Sequence, residues 1–487
     1  MPDAGAARRP RRLPAIGVLV ALAAAAVMAD ARVDDASVET RAEGPEAPAR
    51  ATAPGTLSAA WYCAEGTSVH SGRADEVVVI ANASPRPADA IVTVMPGAGQ
   101  EIVRKRVTTP ARSAARVAVS DLTRTGDPGV VVEVFGEEMA VEHELSGPGD
   151  VAVAPCASRA SDRWYFAAGS TAKDARQYLA VFNPFGEDAV VDIAFFTDEG
   201  PKHLESLSGL VIPARSRFTA RVHALVRRQD HVATEVLVRT GRVVAEQSNI
   251  YEGGGRQGLT VLPGALGPAE QSVFAEGIVA PGVREEVSIL NPSGEGAVVG
   301  FEVHADGDAR IEPEELEIPP NAAVTVNVGD KVPEGVGHFV VVRSLVGEVV
   351  AAQTVWSGRP APNTGAAMVA PAVAPARRWL FASGRSDAER DEWIVGANLG
   401  SARATLSLRV LAAGQLLVPQ GLGSLSLDPD GRRNVRLGDA LQRAEVPLVV
   451  CSDRPVFMTR GLYGGGIDLG YGVPMAADGD DECLGAG

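Results

Sequence analysis

Apolar and polar residues alternate along most of this chain. In "RFTARVHA" one set is Phe218, Ala220 and Val222, and the other is Arg217, Thr219, Arg221 and His223. A period of two sends successive side chains to opposite faces, so the pattern predicts half-buried strands rather than helices. The same alternation returns at Ala115, Val117 and Val119, at Val324, Val326 and Val328, and at Val435 and Leu437. Runs such as "AVVDIAFF" and "VVVIA" are apolar on both faces, as central strands of a sandwich are. Turn signals separate the runs: "TDEG" at 197–200, "ADGD" at 305–308, and "RTGR" at 239–242. The last is expected to join "VATEVLV" to "VVAEQ" as a hairpin. Short strands every 8 to 12 residues predict an all-β fold of immunoglobulin-like sandwiches.

The pattern repeats. The phrase "WYCAEGTS" at Trp61 returns as "WYFAAGST" at Trp164, "SVFAEGIV" at Ser272 and "WLFASGRS" at Trp379, in steps of 103, 108 and 107 residues. Three landmarks keep the same beat. An asparagine ends an apolar run at Asn82, Asn183, Asn291 and Asn398. A glycine turn follows at Gly99, Gly200, Gly307 and Gly414, and a proline closes the last run at Pro155, Pro263, Pro371 and Pro474. Registered landmarks of this kind mark tandem copies of one unit. The expected modules span 58–157, 158–265, 266–373 and 374–477. The joints between them are short and uniform, which predicts fixed angles between neighbours rather than loose beads.

In the aromatic phrase, alternation puts Trp164 and Phe166 on one face and Tyr165 on the other, so the strand is expected to bury large rings against its own core. The competing use of Trp61, Trp164 and Trp379 is as stacking platforms for sugars. The third copy has Ser272 in place of the tryptophan and retains Phe274, which favours a core role.

The order "WYFAAGST", "YLAVFNP", a glycine turn, "IPARSRFTARV" and "RVVAEQS" resembles the tandem β-sandwich repeat of an uncharacterised exported family of high-GC Gram-positive bacteria, whose units read W-Y-x-A-E-G-S-T and then a strand ending N-P. The resemblance runs from residue 61 to about 475 and is fullest in the second copy; the third and fourth read "VAAQTV" and "VFMTRG" where the family has its A-E element. It implies a fold and a location outside the cell, and no reaction.

Composition narrows the picture. With 45 basic and 61 acidic residues the formal charge is -16, which excludes a nucleic-acid or anionic-membrane surface as the main partner. At the N-terminus, "RRPRR" precedes an apolar run ending near Ala29 and Ala31, so residues 1–31 are expected to be a signal peptide or a membrane anchor. Residues 32–57 have no apolar period and are expected to be a disordered linker; 478–487, with "DGDDE", are expected to be an acidic tail. Membrane contact is expected only through the N-terminal segment, if uncleaved.

An exported chain with four cysteines is expected to hold two disulfides, Cys63 with Cys156 and Cys451 with Cys483, stapling the end modules that lack a neighbour on one side. No metal site is expected, because no C-x-x-C or clustered histidine ligands occur. No G-x-S-x-G, phosphate-binding loop or H-E-x-x-H is present. The pairs Glu285-Glu286 and Glu314-Glu315 are expected on solvated surface, and the glycine runs at 253–258 and 464–472 as plain loops. Glu142 and Glu246 match between the first two copies alone. No catalytic residue and no cofactor are therefore expected. The reading is a non-enzymatic exported or cell-envelope protein, extracellular in location, that meets a protein or envelope-glycan partner. The alternative is a glycan-binding protein using loops and aromatics at module ends.

Overall fold

In the computed structural model, residues 47–476 are described apart from 70, 71, 98, 148, 149, 308 and 465. They lie in one compact unit that contains all four modules. The alternation forms antiparallel strands as expected. In module one a first sheet orders Ala59–Cys63, Gly129–Phe135, Ala88–Met95 and Val103–Thr109 side by side. A second orders Ser113–Ala118, Asp75–Asn82, Met139–Gly147 and Asp150–Pro155. Modules two and three repeat this order. The two-sheet sandwich is as predicted, yet the pairing departs from immunoglobulin order: the first strand lies beside the sixth and the seventh beside the second, where a constant domain pairs first with second.

The hairpin expected at "RTGR" does not form. Val232–Thr240 pairs in the first sheet and Val244–Gly253 in the second, so the turn carries the chain across the sandwich edge. In module four the same crossing is one continuous strand, Leu448–Tyr463, which links both sheets. The strand in "RFTARVHA" also ends early, at Arg221, and Val222–Leu225 is a single helical turn. The other copies make a short 3-10 turn at that place, and Val119, Val222, Val328 and Leu437 are all buried there. The inward period outlasts the strand because a tight turn can bury the next apolar residue equally well.

The asparagine landmark is a repeated corner. Each buried side-chain amide donates to the carbonyl four residues on (Arg86, Glu187, Glu295, Ala402) and to a second carbonyl 27 to 29 residues on (Thr109, Ile212, Ile318, Leu427). Its oxygen accepts the N–H two residues on. The landmark glycines have φ of 78°, 101°, 74° and 93°, a region that glycine alone enters freely.

The closing strands of the modules touch in a cycle: Asp150–Pro155 meets Arg256–Pro263, which meets Gly365–Val369, which meets Ile467–Tyr471, which returns to Asp150–Pro155. Apolar clusters line these contacts, with Ala152 and Ala154 on Leu259 and Val261, and Val355, Ala367 and Val369 on Ile467 and Leu469. The core of module one also continues into module four through Leu380, Val449 and Val473. The end modules therefore do not lack a neighbour; they close on each other. The described part of the expected linker is ordered in this seam: Ala49 is buried, Ala51 donates to the Pro474 carbonyl, and Thr52 exchanges backbone hydrogen bonds with Met139 and Glu138. Alanines and a threonine without apolar period can still dock when their backbone groups find partners. The signal or anchor, residues 32–46 of the linker and the acidic tail lie outside the described residues.

Candidate functional site at the module junctions

The aromatic phrase settles inward. Trp61, Trp164 and Trp379 are 0%, 0% and 1% exposed, and the indole N–H groups of the last two donate to the Val243 and Val456 carbonyls. None can offer a ring face to a sugar, which corrects their candidacy as ligand-binding aromatics. The residues that follow the rings carry the junctions instead.

Glu246 of module two accepts the backbone N–H groups of Ala64 and Glu65 in module one's phrase at 2.8 and 2.6 Å. Glu142 of module one does the same for module four, accepting from the N–H and hydroxyl of Ser383 at 3.0 and 2.6 Å. These two copies thus reach back to the phrase of the preceding copy, and for the first copy the preceding one is the fourth. The match between these glutamates, which the sequence shows, is a match of joints.

One strand position further on, His143, Gln247, Gln353 and Arg460 face a second buried polar residue of their own module. His143 lies 3.3 Å from Glu76, Gln177 donates to Gln247 at 2.8 Å, Gln353 donates to Glu285 at 2.8 Å, and Arg460 faces Glu392. Glu285 and Glu286 are consequently buried, not solvated: they lie on a middle strand of the second sheet, whose two faces meet the module's own core and its neighbours. Glu314 and Glu315 are exposed as expected.

Arginines plug alternate junctions. Arg217 of module two is enclosed in module one, donating to the Ala64, Gly66 and Pro128 carbonyls at 2.7, 2.9 and 2.7 Å and to Asp127 at 2.8 Å. Arg432 of module four enters module three in the same way, donating to Glu276 at 2.9 Å, to the His338 carbonyl at 3.0 Å and to Asp306 at 2.9 Å. Modules one and three have Ala114 and Ala323 at the equivalent strand position. Alternation read as inside-outside placed Arg217 outward, which is correct for the module and misses that outward faces the neighbour.

The electrostatics follow from enclosure. Burial alone would lower the His143 imidazole, but the charge of Glu246 and the hydrogen bond and charge of Glu76 lift it to about 9. Burial raises Glu76 and Glu246, with His143 opposing. Burial also acts on Glu65, yet Arg73 and Arg217 outweigh it and hold that carboxyl low. Where modules one and four meet, burial lifts Asp150 to about 8 and Asp468 to about 7, and the charge of Asp468 adds to the rise at Asp150. Asp150 accepts from Val151 at 2.8 Å, from Leu259 of module two at 3.3 Å, and from Ala366 of module three.

Among the described residues one trio, Cys63, His143 and Cys156, has the proximity of a metal-binding set. Cys63 and Cys156 are joined as a disulfide, as expected, so neither offers a thiolate. Cys451 is also disulfide-bonded, and Cys483, its expected partner, lies outside the described residues. The trios and dyads of acid, base and arginine could move protons, but Glu65, Glu76, His143, Glu246 and Arg217 are enclosed between modules. A cleft lies elsewhere, a space of about 440 Å³ where modules two and three meet, lined by His231, Gly255, Arg256, Arg284, Glu286 and Trp356. Arg256 and Arg284 lie over the Trp356 ring at 5.6 and 5.7 Å from its centroid, and the former is held by Asp174 at 2.6 Å. The glycine run at 253–258 is a hairpin turn on its wall, with Gly253 paired to Arg256. The run is a turn rather than the plain loop expected, and the second wall comes from module three, with Arg284 and Trp356 lying 28 and 100 positions beyond Arg256, so no local signal joins the two walls.

Among solved structures, a Thermotoga maritima protein is similar over 22% of this chain and 95% of its own, at 18% identity with a TM-score of 0.20. A tetra-tandem repeat from the extending region of a large adhesion protein matches 86% and 99% at 11% identity and a TM-score of 0.11. A Streptomyces avermitilis alpha-L-rhamnosidase matches 82% and 57% at 9% identity and 0.10. No curated protein matches. A family profile does match, over residues 143–278 and 246–462, so that it takes in the junction residues from His143 to Arg460 and most of the repeated array. The chain belongs to that family, DUF5719, a family of unknown function.

Proposed function

We propose that this protein is a non-catalytic component of the cell exterior or envelope, in which four sandwiches fused at buried ionic joints form one stiff body that meets partners through its outer surface. The observation that carries this reading is the placement of its reactive-looking groups. Glu65, Glu76, His143, Glu246 and Arg217 are enclosed and bound to one another or to neighbouring backbone, so their chemistry is consumed in holding modules together. A disulfide in module one agrees with an oxidising compartment. Cross-linking of intact producing cells with a membrane-impermeant reagent tests it. Adducts containing this chain are expected, and complete protection until the cells are lysed overturns the location and the role together.

A second reading, glycan binding, is favoured by the cleft at modules two and three. Arginine, histidine and carboxylate groups around Trp356 offer both donors and acceptors for hydroxyls. Titration calorimetry with envelope glycan fragments separates the two, since the Arg284→Ala variant would lose any heat that comes from this cleft.

A further inference from the structure

The outer edge of each first sheet differs between odd and even modules. In module two it is broken into Gly200–His203 and Leu210–Ile212, and in module four into Gln415–Leu417 and Leu425–Leu427. Short, interrupted edges of this kind resist pairing. In modules one and three the edge is continuous: Val103–Thr109 and Glu314–Ile318, each hydrogen-bonded on one side alone among the described residues.

The two continuous edges carry opposite charge. The first reads "VRKRVTT", with Arg104, Lys105 and Arg106 all exposed and none in an ion pair among the described residues. It is a concentrated basic stretch in a chain of formal charge -16. The second reads "EELEI", with Glu314, Glu315 and Glu317 exposed, and of these Glu314 pairs with Lys331. Val107 packs on its own core from the first edge, and Leu316 does so from the second. By alternation Arg104 and Arg106 share the outward face, as do Glu315 and Glu317. Both pairs are two residues apart, about 6.7 Å along a strand. An antiparallel register setting Arg104 opposite Glu317 and Arg106 opposite Glu315 matches both sheets' inward and outward faces at once.

We propose that these two strands are the halves of a head-to-tail contact between copies of this chain, the basic edge of module one in one molecule adding to the acidic edge of module three in the next. Like edges repel, so the charges forbid the symmetric pairing and permit the complementary one. Modules one and three are not neighbours in the cycle of contacts, so the two halves sit apart on one molecule and the contact is heterologous; repeated, it builds a row of molecules. The contact does not depend on where the protein resides.

Sedimentation velocity on the full chain over a concentration series tests this. The wild type is expected to grow in size with concentration, and to do so less at high salt. The variant Arg104→Glu/Lys105→Glu/Arg106→Glu and the variant Glu314→Lys/Glu315→Lys/Glu317→Lys are each expected to remain monomeric, and an equimolar mixture of the two to associate again. The second variant is less negative overall, so if net repulsion alone governed association it would associate more than the wild type. Unchanged urea midpoints show that the exposed substitutions leave the fold intact. A wild type that stays monomeric throughout, either variant associating like the wild type, or a mixture that stays monomeric overturns the proposal.

Discussion

Gly466 is where the cycle of modules is least able to yield. A Cβ there would stand 1.8 Å from Asp150 Oδ1 and 2.6 Å from its Cγ, and the backbone φ is 155°. Asp150 cannot swing aside, because its two carboxylate oxygens accept from Val151 and Leu259, and Gly258 leaves no space on the other side: a Cβ at Gly258 would lie 2.6 Å from Oδ2. Gly466→Ala therefore adds an overpacking cost of about 1–3 kcal/mol to a backbone cost of about 1–3 kcal/mol for a conformation that side chains avoid. A loss of roughly 4 kcal/mol in unfolding free energy is expected. Urea unfolding followed by fluorescence of the buried tryptophans measures it. The same substitution made in an Asp150→Ala background, where the carboxyl is gone, is expected to cost only the backbone part, so the two changes are coupled by about 1–3 kcal/mol. A single-variant loss below about 1 kcal/mol, or strict additivity in the double variant, refutes the role assigned to Asp150 as the pin of the cycle.

Melting temperature is expected to fall as pH rises from about 5 to 9, because several groups bind protons more tightly in the folded protein. His143, lifted to about 9, contributes stability that is complete below its unfolded value of about 6.5 and is lost as pH climbs through 9. Asp468 and Asp150, at about 7 and 8 when folded, lose theirs between about 4 and those values. His143→Gln, which installs the residue of modules two and three, is expected to flatten the alkaline part of the profile; an unchanged profile would discard the assignment. Trp164→Ala is expected to cost about 3–5 kcal/mol of stability by emptying a fully buried site, read from the urea midpoint, with no altered glycan heat. Reduction, or the Cys63→Ser/Cys156→Ser variant, opens a link between residues 93 apart and is expected to cost about 4–5 kcal/mol, seen as a shifted melt; an unmoved melt contradicts it. Arg217→Ala leaves the Ala64, Gly66 and Pro128 carbonyls without their enclosed donor, although Arg73 still holds Glu65, and is expected to cost about 3–5 kcal/mol, read from the urea midpoint; an unmoved midpoint contradicts it.

The modules were legible in the sequence because each landmark obeys a local rule. A glycine at positive φ and a ring on the inward beat are decided within a few residues, and the asparagine corner is closed within its own module. The junctions were not legible, since they depend on which outward positions meet another copy. Arg217 reads as outward from period two and Glu285 as solvated surface, and both are enclosed. The "RTGR" turn carries hairpin letters but crosses between sheets, because turn chemistry fixes a local bend and not the sheet that the next strand joins. The closure of module four on module one rests on Glu142, Ser383 and Arg460, residues that lie 241 and 318 positions from Glu142 in sequence.

The alternation of the array follows from the same residues. Arg217 and Arg432 bind modules two and four into modules one and three through backbone carbonyls together with one carboxylate for Arg217 and two for Arg432, contacts that a guanidinium makes with its whole fork. The other two junctions have alanine at that position: modules two and three share the apolar cluster of Leu290, Ala352 and Met368, and modules four and one add to Leu380, Val449 and Val473 the bonds that Glu142 accepts from Ser383 and Arg460. The array is thus two pairs, locked by Arg217 and Arg432, that meet through one apolar seam and one seam that also holds the buried Arg460–Glu142 pair. The interrupted outer edges belong to the arginine-bearing members and the continuous, oppositely charged edges to the receiving members. A module that gives an arginine to its neighbour has a blunted edge, and a module that receives one has an open edge. The unit of construction is therefore the pair, and the two pairs differ chiefly in the sign of the charge that their open edge displays.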